Sequence, residues 1–343
     1  MTKRYASLAS DDAALHPNPG IGSSMNRRGF LAGLTGSLAS LTGAAAETPA
    51  LERLTLFIPS TFGDNPAGAV RALEQALMAE KLVAEVSRIH AAGDPMAGLQ
   101  EFVSPSPLDG DMLMVGGPGL IGAGILGGGP IELAMRAPIA RLITENLLIA
   151  VHGDSDVASV KELTIALRLE PTTIDFVGGP LGSTDHLLVA KLARFAGIDP
   201  RRVRYSERPA EESVGFAVYS GRAGCAIGSL SEMQADISLG RLRPLAISST
   251  QRVPGVNIPT FLEMGVDLQM DRWRGLFASP DAGPEQQARL AALAARLATT
   301  TTWKSMIFQH NWTSAYQPMP AFGSFVQAEI ARIRRQFAEF GLT

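Results

Sequence analysis

Ile174-Asp-Phe-Val-Gly-Gly-Pro-Leu-Gly-Ser-Thr-Asp-His186, continuing into the apolar-rich run Leu187 to Phe195, is the stretch that decides the fold. A β-rich run ends at Val177, and Gly178 and Gly179 permit a tight turn with close backbone approach. Ser183 or Thr184 then caps a helix, on which Leu188, Leu192 and Phe195 recur at spacings of four and three. Strand, glycine turn and helix in that order is the corner of an α/β fold. The first N–H groups of such a helix have no partners within it and carry partial positive charge, so the corner can hold a carboxylate or phosphate. It can equally be a plain connection. An alternative chemistry, Ser183 activated by His186 with Asp185 beside them, would need an orienting third group and an oxyanion site, and the stretch shows neither.

The same pattern recurs on both sides. Leu54 to Ile58 predicts a strand; Pro59 to Pro66 is a turn-rich loop, and Val70, Leu73 and Leu77 follow at helical spacing. Val83 to Ile89 predicts a strand and Gly98 to Val103 a short helix. Asp111 to Val115 leads into Gly116-Gly117 and a glycine-rich run to Gly129. That run formally matches a dinucleotide fingerprint, but Pro118 and the surplus glycines argue for a glycine-walled pocket or a closely packed loop. Leu147 to Val151 is β-rich, and Ser159-Val-Lys-Glu162 is a capping box. Val203 to Tyr205 predicts a strand, and a helix through Glu211 to Tyr219 stops at Gly221. Gly224 to Ile227 is a strand that delivers the chain to a third corner, where Ser229-Leu-Ser-Glu232 is another capping box and Ser231 lies beside Ser229. Leu245 to Ser249 and Trp273 to Ala278 read as strands, and Thr260-Phe-Leu-Glu263 as the start of a short helix. Beyond Pro284 the pattern is mainly helical, with Leu290, Leu293 and Leu297 on one stripe and Phe322, Phe325, Val326, Ile330, Ile333 and Phe337 on another. Alternating strands and helices argue for an α/β protein with largely parallel sheets.

The chain has 343 residues, 46% hydrophobic and 18% charged, with a formal net charge of −3. A mildly acidic chain is a poor nucleic-acid binder, so any anion it holds must be attracted by local donors and dipoles. A single cysteine, Cys225, excludes an intrachain disulfide. His90, His152, His186 and His310 show no metal-ligand spacing.

Near the N-terminus, Asn26-Arg27-Arg28-Gly29-Phe30-Leu31 precedes a weakly apolar run, Leu31 to Leu41, that ends in Ala44-Ala45-Ala46. This order predicts a twin-arginine export segment in residues 1–46, with Met25 as its start and the mature chain beginning near Glu47. The run is too short, and too rich in glycine and serine, to remain as a membrane anchor.

Several landmarks then occur together in order: Pro59 with Arg71, Asp109 to Val115, Pro138-Ile-Ala-Arg-Leu, Gly178-Gly with Gly182 to His186, Gly197-Ile-Asp199, Gly240 to Ala246, Arg252, Pro259-Thr260, Glu263 to Val266 and Trp273-Arg-Gly275. The set resembles the Bug-type solute-binding subunits of tripartite tricarboxylate transporters, from about Leu54 to the end. The resemblance implies a type II-like periplasmic binding fold, with two α/β lobes, a central ligand cleft and two crossover segments. Lobe 1 would take residues 47–148 and 271–343, and lobe 2 residues 149–270. It implies a monomeric, non-enzymatic periplasmic receptor, without cofactor or bound metal, that hands a small organic anion to membrane permease subunits. A subunit that reports to a membrane kinase is the alternative. Carried over by position, the ligand contacts are Ser60, Thr61, Phe62 and Gly63 in the first loop with Gly116 and Gly117 beside it. In the second lobe they are Gly179, Leu181, Gly182, Ser183, Thr184 and His186, with Ser229 and Ser231 adjacent. One departure stands out: Phe62-Gly-Asp-Asn-Pro-Ala67 replaces the family's Pro-Gly-Gly-Gly-Trp-Asp. Asp64 there would repel a carboxylate if it faced the cleft, and caps the helix if it faces away.

Overall fold

A computed structural model describes residues 50–59, 67–91, 95–104, 111–209 and 212–342. The export segment, the loop Ser60 to Gly63 and Asp64 lie outside the described residues. In chain order the elements begin with β1 (Leu51–Ile58), α1 (Ala67–Ala79), β2 (Val83–His90), α2 (Pro95–Val103), β3 (Asp111–Gly116), α3 (Pro118–Leu126) and α4 (Ile131–Ala134). There follow β4 (Pro138–His152), α5 (Val160–Leu169), β5 (Asp175–Gly178), α6 (Thr184–Phe195), β6 (Arg204–Glu207), α7 (Val214–Tyr219), β7 (Cys225–Ser229) and α8 (Leu230–Ser238). The last are β8 (Leu242–Ile247), β9 (Asp271–Ala278), α9 (Pro284–Thr299), α10 (Thr301–Gln309), β10 (Thr313–Pro318) and α11 (Ala321–Phe340).

The strands follow the order β2-β1-β3-β9-β4-β7-β5-β6, with β8 and β10 also paired to β4. Fifteen-residue β4 divides the sheet. Its residues Pro138 to Asn146 pair with β9 and β10, and Leu147 to His152 pair with β7 and β8. The two flanks, β2-β1-β3 and β7-β5-β6, are parallel, as strand-helix alternation predicts. All pairings of β4 and β9 are antiparallel, because the chain enters the second half through β4 and returns through β9. The centre is therefore not the parallel sheet that simple alternation suggests.

Ser248 fastens the place where the two crossings meet. Its hydroxyl accepts the Leu147 N–H (2.9 Å) and donates to the Met270 carbonyl, and its own N–H donates to the Leu147 carbonyl (2.7 Å). Ser248→Ala would strand a buried donor and a buried acceptor, which costs about 1–3 kcal/mol. The expected result is a lower urea midpoint with an unchanged slope.

Helix α11 buries Phe322, Val326, Ile330, Ile333 and Phe337, with Phe325 half-buried. Its aromatic residues meet Trp273 and Phe277 of β9 at centroid distances of 5.4 to 5.8 Å. Leu290, Leu293 and Leu297 of α9 form a separate core with α1 residues such as Val70 and Leu73.

Three local expectations are corrected. The glycine-rich run after β3 is helical, not a loop: Pro118 stands at its start and α3 packs so closely that only glycine fits. A Cβ on Gly122 would lie 2.0 Å from the Gly182 carbonyl oxygen. Thr260 and Glu263 do exchange capping bonds, Glu263 N–H to the hydroxyl (3.1 Å) and Thr260 N–H to the carboxylate (2.7 Å), yet they close a turn and no helix follows. The helix read from Glu211 begins at Val214, after Ser213 as cap.

Candidate functional site

The corner after β5 forms as its sequence predicts, with Ser183 capping α6 by accepting the His186 N–H (3.4 Å). Its turn amides are nevertheless occupied from within. Gly179 N–H donates to Asp185 Oδ2 (2.8 Å), Leu181 N–H to Glu207 (2.6 Å), Gly182 N–H to His186 Nδ1 (3.1 Å) and Ser183 N–H to the Pro180 carbonyl (2.9 Å). The turn ahead of α6 is thus closed by bonds within the chain, one of them to Asp185, an acid in the first helical turn. The Thr184 hydroxyl is buried and has no hydrogen-bond partner. Leu181 is half exposed, and Gly182 lies against Gly122 and Leu126 of α3.

Ser183 and His186 do not form a nucleophile and base. The Ser183 hydroxyl is a helix cap, and His186 Nδ1 is an acceptor for the backbone. Burial lowers the imidazole to about 4, so it is neutral, and it lies against the Tyr205 ring at 4.6 Å.

The third corner is built the same way. Glu232 accepts the Ser229 N–H (2.8 Å) and the Ser229 hydroxyl (3.0 Å), and the Ser229 and Ser231 hydroxyls bond at 2.9 Å. Both internal acids then meet one arginine. Arg272, fully buried on β9, bonds Asp185 directly, Glu232 at 3.2 Å and Glu145 at 3.8 Å. Two residues on, Arg274 is 3.5 Å from Glu145. Burial by itself raises the Glu232 carboxyl, but Arg272, Arg208 and the Ser229 donors together hold it below its ordinary value.

A cavity of about 210 Å³ opens between these groups and the first turns of α1, with Gly68, Arg71, Ser229, Ser231, Arg274 and His310 among its walls. Gly117 sits behind Arg274, its α-carbon too close to the Trp273 carbonyl for any side chain. Gly116 is deeper, against Phe277 and Met135. Of the described sequence-predicted residues, then, only Ser229 and Ser231 line the cavity; Gly116, Gly117, Gly179 and Leu181 to Thr184 with His186 are not among its walls. Three arginines (71, 272 and 274) and two glutamates (145 and 232) line its walls, and Arg272 is also paired with Asp185 outside the lining, which offsets the third positive charge. Two contacts join elements on either side of the β4 and β9 crossings: Gly122 of α3 against Gly182, and Asn311 Nδ2 donating to Gln234 of α8 (2.9 Å). A wider recess of about 500 Å³ lies beside the Ser248 crossing, but its arginine, Arg252, is already bonded to Glu263 (2.8 Å).

Residues 132–342 match the family described as the tripartite tricarboxylate transporter family receptor. The chain belongs to that family. This receptor is 25% identical over 264 residues to a UPF0065 protein in the tcbD-tcbE intergenic region of Pseudomonas sp. (strain P51), covering 74% of this chain and 76% of the other. A TctC solute-binding protein from Polaromonas superposes with a TM-score of 0.61 at 24% identity, over 84% of this chain and 98% of that one. R. palustris Rpa4515, solved with adipate, gives 0.69 at 21% identity, over 85% and 98%. These likenesses show the fold, that of type II-like periplasmic binding proteins. Among the described residues, no helix of the receptor is long and apolar enough to cross a membrane, and no group of three His, Cys, Asp or Glu could hold a metal ion.

The arginine pair was legible in outline. In Asp271-Arg-Trp-Arg-Gly-Leu-Phe-Ala278 the two arginines alternate with Trp273, so they share one face of a strand that is otherwise apolar after Asp271.

Proposed function

We propose that this receptor captures a small organic acid in the cavity between α1, α8 and β9, outside the cytoplasm, and releases it to the membrane subunits of a tripartite transporter. The observation that carries this reading is the set of donors, Arg71, Arg274, Ser229 and Ser231, that lines a walled cavity of about 210 Å³, a volume suited to a metabolite of a few carbons. The adipate bound to the related Rpa4515 supports a carboxylate. Ser229, Ser231 and the backbone near Gly117 stand beside the acid, and Ser60 to Gly63 are the contacts we assign to the first loop. No bond is made or broken, in keeping with the unpaired roles of Ser183 and His186. The halves on either side of the Ser248 crossing move as lobes, residues 47–148 with 271–343 against 149–270, and the chain acts as a monomer after export through its Arg27-Arg28 segment.

A thermal-shift panel of organic acids on residues 47–343 tests the reading. A ligand at a hundredfold excess over its Kd adds about 2.7 kcal/mol. At about 2.1 cal/mol/K of unfolding entropy per residue, that corresponds to a rise of roughly 4–5 °C in Tm for a domain of this size. A flat response across mono-, di- and tricarboxylates, with amino acids included, would overturn it.

A further inference from the structure

The cavity holds a second set of groups that neither the corners nor the buried ion pairs employ. Arg71, exposed on α1, has no ion pair among the described residues. Trp312 is 8% exposed, lines the same cavity, and its indole N–H is buried without a hydrogen-bond partner. His310, at the end of α10, stacks on the Trp312 ring (4.4 Å between centroids, 15° between planes) and also lines the space. A cation and an imidazole lining one hollow, with an indole beside them whose buried N–H is unused, form a site for an anion.

We propose that Arg71, Trp312 and His310 bind a second acidic group on the ligand, and that His310 takes a proton from solvent as that group enters. The inference rests on the receptor reading above and narrows it to diacids. In the empty cavity burial and the Arg71 charge lower the His310 pKa, so the ring stays neutral near pH 7. An anion between Arg71 and His310 cancels the arginine's influence and favours imidazolium. The other charged walls are Glu145 of β4, Glu232 of α8, and Arg272 and Arg274 of β9. The two glutamates are held by those arginines at 3.2 to 3.8 Å, which leaves Arg71 as the charge that governs the ring. Binding that takes up a proton strengthens as pH falls, so affinity for a diacid rises from pH 8 to pH 6.

The test uses calorimetry on residues 47–343 with adipate and succinate, against hexanoate and butyrate, which carry a methyl group in place of one carboxylate. The wild type should prefer each diacid by about tenfold or more, as expected for one charge-assisted contact. Two buffers of different ionisation enthalpy should reveal net proton uptake with the diacids alone, accompanied by a change in Trp312 fluorescence as its stacked partner charges. Arg71→Gln and His310→Gln should each erase most of the preference, and His310→Gln the proton uptake, with Tm in the absence of acid within a few degrees of wild type. The proposal falls if the preference survives both substitutions, or if diacids bind without proton uptake. If monoacids such as benzoate bind and no diacid does, the receptor reading stands and this proposal falls. If no acid binds, both fall.

Discussion

Arg272→Ala should destabilise the receptor by about 3–5 kcal/mol, because removing the shared guanidinium takes a charge partner from three acids of a buried network at once. Asp185, Glu145 and Glu232 all turn to this guanidinium, and two of them anchor helix N-termini through the amides of Gly179 and Ser229. Urea unfolding at pH 7 would show the loss. The pH dependence gives a sharper signature. In the wild type Glu232 is held below its ordinary value, so its contribution is fully present above the unfolded carboxylate range and is lost as pH falls through the lowered folded value. In Arg272→Ala the abandoned carboxyls are raised by burial, so the variant should gain stability between pH 7 and pH 5 while the wild type does not. Wild-type and variant curves that run parallel over that interval would show that the network carries little of the stability.

Gly122→Ala should act on closure more than on folding. Alanine favours a helix by up to about 1 kcal/mol over glycine, which stabilises α3 considered alone. Its Cβ, however, would sit 2.0 Å from the Gly182 carbonyl oxygen, a contact between the two halves that must open to admit it. Both partners are backbone, so no rotamer relieves the clash. The expected outcome is a loss of about tenfold or more in affinity for the acid found by the thermal-shift panel, while stability without ligand changes by less than about 1 kcal/mol. Small-angle scattering should then show a larger radius of gyration that ligand no longer reduces. Unaltered affinity would mean that the halves need not approach this closely to hold a ligand.

Much of this architecture is written locally. The strand, glycine turn and helix at Asp175 to Phe195, the Ser159 cap of α5 and the stripe of α11 depend on neighbours a few residues apart, which periodicity and capping chemistry report directly, although Glu162 bonds the Ala158 N–H and so leaves the capping box half formed. The half of β4 from Pro138 to Glu145 was missed because Arg141, Thr144 and Glu145 interrupt its apolar pattern, and they do so to meet β9 and β10. β10, Thr313 to Pro318, is polar and half-exposed, so nothing in its composition marks a strand. Helix α3 defied glycine propensity because tertiary contact selected it. At the site, Glu232 was visible as a capping residue, but its bond to an arginine forty positions later has no local signal. Asp185 likewise reads as a favourable first-turn acid, and only the folded chain shows that it occupies a place where an external anion was expected.

The position of β9 between β3 and β4 sets an order on assembly during synthesis. Until residue 278 has left the ribosome, β3 presents an unpaired edge, although the strands beside it were made more than 150 residues earlier. The inserted stretch from Leu147 to Ile247 closes on itself sooner, through β7, β8 and the end of β4. Nascent chains halted before Asp271 should therefore carry a protease-resistant middle and a vulnerable beginning, the reverse of the usual first-made, first-folded sequence.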